Sequence, residues 1–155
     1  RQKVREAGSI LYIGDNCGEV VFDRILIEEL PLDKVVYAVR GVPVLNDITR
    51  EDAAIAGIPV RIIDNGTDAP GTPLASCSAA FLEEYRRADL VMAKGQGNYE
   101  TLLERKEEIF FLFRVKCPFV AELSGLPQGS LAFMQGPAHS RPKSSSSRSM
   151  SSSPK

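Results

Sequence analysis

The sequence predicts an α/β fold built on a mostly parallel sheet of about five strands. Short apolar runs rich in β-branched and aromatic residues recur along the chain, and segments with helical apolar spacing separate them. Clusters of polar residues follow the runs at one end, where an open parallel sheet presents its ligand-binding loops.

The first run is Ser9 to Gly14, SILYIG. Glu19 to Leu30 then reads as a helix with Val20, Val21, Phe22, Ile25, Leu26 and Leu30 on a wide apolar face, stopped by Pro31. The second run, KVVYAVR, spans Lys34 to Arg40. Thr49 precedes Arg50, Glu51 and Asp52, so its hydroxyl caps a helix whose acids suit the positive helix start, and Gly57 and Pro59 end it. Val60 to Asp64 is the third run, Ser76 to Ala88 the next helix, and Asp89 to Ala93 the fourth run. A helix over Asn98 to Glu107 leads into the fifth run, EIFFLFRV, from Glu108 to Val115. The spacings are too unequal for a solenoid.

Composition narrows the chemistry. The 155 residues and 43% hydrophobic content suit one α/β domain, expected over residues 1–139. No apolar run approaches the roughly 20 residues of a membrane span and no signal peptide is legible, so a cytoplasmic protein without membrane partners is expected. Cys17, Cys77 and Cys117 are odd in number and form no C-x-x-C pair, which excludes a disulfide framework and a zinc knuckle. With one histidine, His139, the sequence lacks the parts of a histidine zinc site or a Ser-His-Asp triad. Any metal is therefore held mainly by oxygen.

Residues 140–155 carry Arg141, Lys143, Arg148 and Lys155 without an acid, and nine serines. They read as a disordered basic tail. The remaining 15 basic and 20 acidic groups give residues 1–139 a formal charge of −5, which argues against nucleic acid as the partner. A chain opening at Arg1 reads as a piece of a longer protein.

The polar clusters are Gly14-Asp15-Asn16, Asn46-Asp47, Asp64-Asn65-Gly66, Lys94 through Asn98, and Lys116. Any one alone reads as an ordinary turn. Together they place acids and amides after the first two runs and lysines and glycines after the fourth and fifth, the layout of a cation meeting a phosphate. Carboxylate and amide oxygens suit Mg²⁺ or Mn²⁺, with Co²⁺ and Ni²⁺ as further candidates. Gly95-Gln96-Gly97-Asn98 offers backbone N–H groups at a helix start, though it is not a Walker loop. Lys94 or Lys116 is placed to neutralise phosphate oxygens. Asp64 is a weaker candidate for the same site, Glu19 for its surroundings, and Cys17 reads as a small buried filler.

At these stretches the sequence resembles the damage-control phosphatase family, whose acidic-residue-methyltransferase-like metal-binding domain was formerly a domain of unknown function. The matching stretches are IGDNCGEVVFD (Ile13 to Asp23), VRGVPVLNDITREDA (Val39 to Ala53), DNGTDAPGT (Asp64 to Thr72), ADLVMAKGQGNYETL (Ala88 to Leu102) and FRVKCP (Phe113 to Pro118). They run in family order over roughly residues 9 to 125. The resemblance implies a Rossmann-like three-layer sandwich, with a divalent cation held by Asp15, Asn16 and Asp47. It further implies that Gln96, Gly97, Asn98, Tyr99 and Lys116 contact the substrate phosphate together with Asp15 and Asn16. Asp15 and Lys116 are then the catalytic candidates, and the substrates are sugar phosphates, phosphopantetheine-like compounds or damaged metabolites. The helical segment that usually precedes the first motif in the family is reduced here to Arg1 to Ala7.

Two other readings compete with a phosphatase. A nucleotide- or S-adenosylmethionine-binding module, such as a methyltransferase, calls for a glycine-rich turn after the first run, and Asp15-Asn16-Cys17 stands there instead. A non-catalytic remnant would keep the fold as an interaction surface.

Overall fold

The structure is a computed structural model that describes residues 1–105 and 107–136; the expected basic tail and His139 lie outside the described residues. Along the chain run α1 (Gln2–Glu6), β1 (Ile10–Ile13), α2 (Val20–Glu28), β2 (Val35–Val39), α3 (Arg50–Ile55) and β3 (Arg61–Asp64). Then follow α4 (Ala79–Arg87), β4 (Leu90–Lys94), α5 (Gln96–Leu102), β5 (Ile109–Arg114), α6 (Pro118–Ser124) and β6 (Leu131–Gln135).

All five expected runs form strands, and they lie parallel in the order β3-β2-β1-β4-β5. β6 adds an antiparallel edge, Phe111 facing Met134 and Phe113 facing Ala132. This sixth strand goes beyond the sequence expectation. Its outward side chains include the exposed Leu131 and Phe133, so its hydrophobicity carries no clear buried alternation.

Alternation along the strands separates two cores. Leu11, Ile13, Val91, Ala93, Phe111 and Phe113 face α4, α5 and α6, contributing to a layer with Phe81, Tyr85, Leu102 and Val120. Ile10, Tyr12, Val35, Tyr37, Leu90 and Met92 face the other way, against Val20 and Ile27 of α2 and Ala53 of α3. The result is a three-layer, Rossmann-like sandwich. The strand order reverses between β1 and β4, and a crevice outside the carboxyl ends of an open sheet belongs at that reversal.

Helix ends follow local chemistry. Ser78 caps α4 by accepting the Phe81 N–H at 3.2 Å. Pro118 starts α6, and Gly125 ends it in the left-handed region at φ 69°. Thr49 and Asp52 form a reciprocal capping box at α3, with Thr49 N–H donating to Asp52 Oδ2 at 3.0 Å. The bond from the Thr49 side chain, then that from its backbone, holds the Asp52 carboxyl below its ordinary range. Thr49→Ala is expected to lower stability by about 1 kcal/mol. Urea unfolding would register this as a lower midpoint with an unchanged slope.

The expected apolar face of α2 needs correction. Val20, Asp23 and Ile27 point inward, whereas Val21, Phe22 and Ile25 are exposed, Phe22 at 70%. An acid occupies the inner face because three donors await it there. Among the described residues no helix is long and apolar enough to cross a membrane.

Candidate metal and phosphate site

The segment that follows β2 returns alongside the tip of β1. Gly14 N–H donates to Ala38 O at 2.9 Å, extending the parallel ladder. Ile48 N–H then donates to Asp15 O at 2.7 Å and Cys17 N–H to Asn46 O at 2.9 Å, with Asn16 and Asp47 facing each other in an isolated antiparallel bridge. Backbone pairing thus brings Asp15, Asn16 and Asp47 together from two loops. Leu45, two residues before Asp47, takes φ 50°, a conformation rare for a branched apolar residue and often found beside functional sites.

Between the two carboxylates lies Arg40, 2% exposed. Its Nε donates to Asp47 Oδ2 at 2.5 Å, and its Nη2 stands 3.9 Å from Asp15 Oδ1. Nη1 donates to Gly71 O and to Thr72 Oγ1, and Nη2 to Asn98 Oδ1 at 3.5 Å. One guanidinium therefore touches loops that follow four strands.

Burial pushes the Asp15 carboxyl up to about 6; the charge of Asp47 adds to this, Arg40 opposes it, Glu19 raises it and Lys116 lowers it. An excess of negative charge in a desolvated place is the electrostatic condition that a bound cation relieves. Gly95 closes over the same carboxyl. At φ 81° it sits so close that a Cβ there would lie 2.1 Å from Asp15 Cγ, so only glycine fits.

The donor set is hard and oxygen-rich: two carboxylates and a carboxamide oxygen. Among the described residues no cluster of three or more His, Cys, Asp or Glu is arranged for a metal. Asn16 donates its Nδ2 to Asp15 Oδ2 at 2.6 Å, while its Oδ1 accepts from Asn46 Nδ2. The Asn16 oxygen keeps a second lone pair, and with the two carboxylates it fits a small divalent ion that keeps several waters.

Of the two lysines expected to neutralise phosphate, Lys94 is taken up by acids of the chain itself. Its ammonium donates to Glu19 Oε2 and to Asp23 Oδ1, both at 2.7 Å. Asp23 also accepts from the hydroxyls of Tyr12 and Tyr37, each at 2.8 Å. Burial raises the pKa of both tyrosines, and the neighbouring Asp23 charge raises it further, so they stay neutral donors. Glu19 links this network to the site through Asn16 Nδ2, 3.5 Å from Glu19 Oε1.

The loop after β4 contributes less side-chain chemistry than expected. Asn98 is fully buried; its Nδ2 donates to Gly14 O and Lys94 O, and its Oδ1 accepts from Thr72 and Arg40. Tyr99 points into the core, stacked on Phe113 at 4.3 Å and edge-on to Phe111. Both frame the site, leaving the first-turn amides of Gln96 and Gly97 as donors that have no intrahelical partner. Gln96 Oε1 accepts the Lys116 N–H at 2.8 Å and so joins this loop to the one after β5.

The Lys116 side chain is exposed and near enough to act on the Asp15 charge. It borders a cleft of ≈ 340 Å³ lined also by Arg114, Val115, Gln128 and Gly129. Asp64 pairs with Arg50 at 2.8 Å, and Cys17 is exposed rather than buried.

Arg40 and the Tyr12-Tyr37-Asp23-Lys94 network were not anticipated from the sequence. The signal for Arg40 was an arginine directly ending an apolar run, next to Gly41 and Pro43. For Asp23 it was an acid at helical spacing between Val20 and Ile27.

Comparison with known proteins bears on all of this. Residues 1–132 match the family described as the damage-control phosphatase ARMT1-like domain. An uncharacterized protein from Methanocaldococcus jannaschii is 45% identical over 82% of this chain and 44% of its own length. A damage-control phosphatase from Pyrococcus horikoshii is 44% identical over 86% of this chain and 49% of its own. The crystal structure of a DUF89 family protein from Pyrococcus horikoshii superposes with a TM-score of 0.84 at 43% identity, over 88% of this chain and 50% of that one. The chain spans about half the length of the relatives it matches.

Proposed function

This chain belongs to the damage-control phosphatase ARMT1-like domain family, and we propose that it carries the catalytic edge of a metal-dependent phosphatase for small phosphorylated metabolites. Sugar phosphates, phosphopantetheine-like compounds and damaged metabolites are the proposed substrates. The observation that carries the reading is the meeting of the Asp15 and Asp47 carboxylates on one buried guanidinium, within electrostatic reach of Lys116.

Asp15, Asn16 and Asp47 are the proposed holders of a divalent cation, with Mg²⁺ or Mn²⁺ the ions best suited to these donors. When bound, such an ion polarises a phosphoryl group and lowers its charge. The chain's own residues position and neutralise. Lys116 places an ammonium beside the phosphate oxygens, and the Gln96 and Gly97 amides supply donors as charge moves to the leaving oxygen. Gly95 keeps that helix start directly against Asp15.

Asp15 serves one of two routes. As a holder of the cation it leaves water to attack phosphorus; as a nucleophile its carboxylate oxygen displaces the alcohol and the resulting acyl phosphate is then hydrolysed. Recovering phosphate covalently attached at Asp15 after acid quench selects the second.

The test is hydrolysis of p-nitrophenyl phosphate and a sugar-phosphate panel with Mn²⁺ added or chelated. Turnover is expected to need the metal, and Asp47→Ala is expected to reduce it about 100-fold, in the range seen when one charge-stabilising group is removed. Metal-independent turnover, or turnover unchanged in Asp47→Ala, rejects this assignment. A correctly folded parent chain with no turnover on any substrate favours the remnant reading.

A further inference from the structure

We infer that Arg40 is a positioning residue that couples the cation seat to the loop over residues 65–72, so that filling the seat orders the loop. The inference rests on the cation seat proposed above. It goes further by assigning a coupling to a residue that binds neither metal nor substrate.

Three observations support the coupling. Arg40 is 2% exposed, so protein acceptors must replace nearly all the water around its charge. Those acceptors are divided between the seat and the loop: Asp47 on Nε, Gly71 O and Thr72 Oγ1 on Nη1. Thr72 in turn donates its hydroxyl to Asn98 Oδ1 at 2.7 Å and its N–H to Thr101 Oγ1 at 2.9 Å, tying the loop to α5.

Geometry makes the two sides interdependent. A planar guanidinium cannot turn toward one carboxylate without moving the hydrogens aimed at the loop. A cation drawing on the carboxylates of Asp15 and Asp47 fixes those side chains and, through them, the plane of Arg40. A lysine would keep the charge but has no fork with which to reach both sides.

Hydrogen exchange on the 155-residue chain, with and without Mn²⁺ alone, tests this. In the parent, Mn²⁺ is expected to slow exchange at the amides of 65–72 at least threefold. Arg40→Lys is expected to bind Mn²⁺ within about threefold of the parent, measured by electron paramagnetic resonance, while losing that slowing. Because Arg40→Lys risks misfolding, Thr72→Val is the second variant; it takes the Thr72 hydroxyl away from Arg40 Nη1 and from Asn98 Oδ1 while Gly71 O still accepts from Nη1, and it is expected to weaken the slowing. Mn²⁺ binding with unchanged exchange at 65–72 in the parent overturns the coupling and leaves the seat standing. Slowing that persists undiminished in Thr72→Val and Arg40→Lys overturns it as well, and a parent that binds no Mn²⁺ overturns seat and coupling together.

Discussion

Replacing Lys94 with methionine is expected to lower stability by about 3–5 kcal/mol, the usual cost of stranding one half of a buried ion pair. Asp23 is 1% exposed and lies 2.7 Å from the Lys94 ammonium. Without that ammonium it keeps only the hydroxyls of Tyr12 and Tyr37 as donors, and a buried carboxylate is left without a compensating charge. Burial alone depresses the Lys94 pKa, but the Asp23 charge and hydrogen bond, followed by those of Glu19, outweigh it and hold the pKa above its ordinary value. A base whose pKa is raised on folding contributes its stability at all pH values below its unfolded pKa and loses it only in alkali. The titration of Lys94 itself therefore adds no pH dependence between pH 6 and pH 8.

A double-mutant cycle separates the ion pair from simple packing. Lys94→Met combined with Asp23→Leu removes both charges, and the double variant is expected to regain part of what the single variant loses. Urea midpoints with unchanged slopes are the measurement. A cost below about 1 kcal/mol for Lys94→Met would place the pair among solvated surface bridges and sink this account.

The same network shows what the sequence could and could not disclose. Strands β1 to β5 were legible because buried parallel strands are continuous apolar runs, and IleLeuTyrIle or LeuValMetAla has no helical alternative of that length. Their parallel order then placed Asp15, Asp47, Gly95 and Lys116 at one edge. The inner face of α2 was not legible, since hydropathy assigns Asp23 to solvent and Phe22 to the core, and only the two tyrosines from β1 and β2 reverse that. Tyr99 was misplaced for a related reason. On a seven-residue helix one step of 100° separates a ligand-facing amide from a side chain in the core. β6 was missed because Leu131 and Phe133 point outward, so its apolar residues do not mark a buried face. Arg40 shows a further limit: a buried arginine is specified by four acceptors and the nearby Asp15 carboxylate, drawn from segments that follow four strands, and no local pattern encodes them.

Asp15→Asn is expected to do two opposite things. Turnover should fall about 1,000-fold, because this oxygen either holds the cation or attacks phosphorus, and an amide does neither well. Metal-free stability at neutral pH should rise. A carboxyl whose pKa climbs from 3.8 to about 6 on folding binds its proton more tightly in the folded state. Stability then falls as pH rises through that interval and stays at the lower level above it. Burial is the larger cause and repulsion from Asp47 the next, and asparagine escapes both. In chelator at pH 7.5 the variant should be more stable by about 3 kcal/mol, from 1.36 kcal/mol per pH unit, and the gap should close below pH 4. Mn²⁺ at 1,000 times its Kd reverses the order, because it adds about 4.1 kcal/mol to the chain that binds it. A variant less stable than the parent in chelator, or a gap constant from pH 4 to 8, would show that Arg40 already neutralises Asp15 and that the site stores no charge for a cation to relieve.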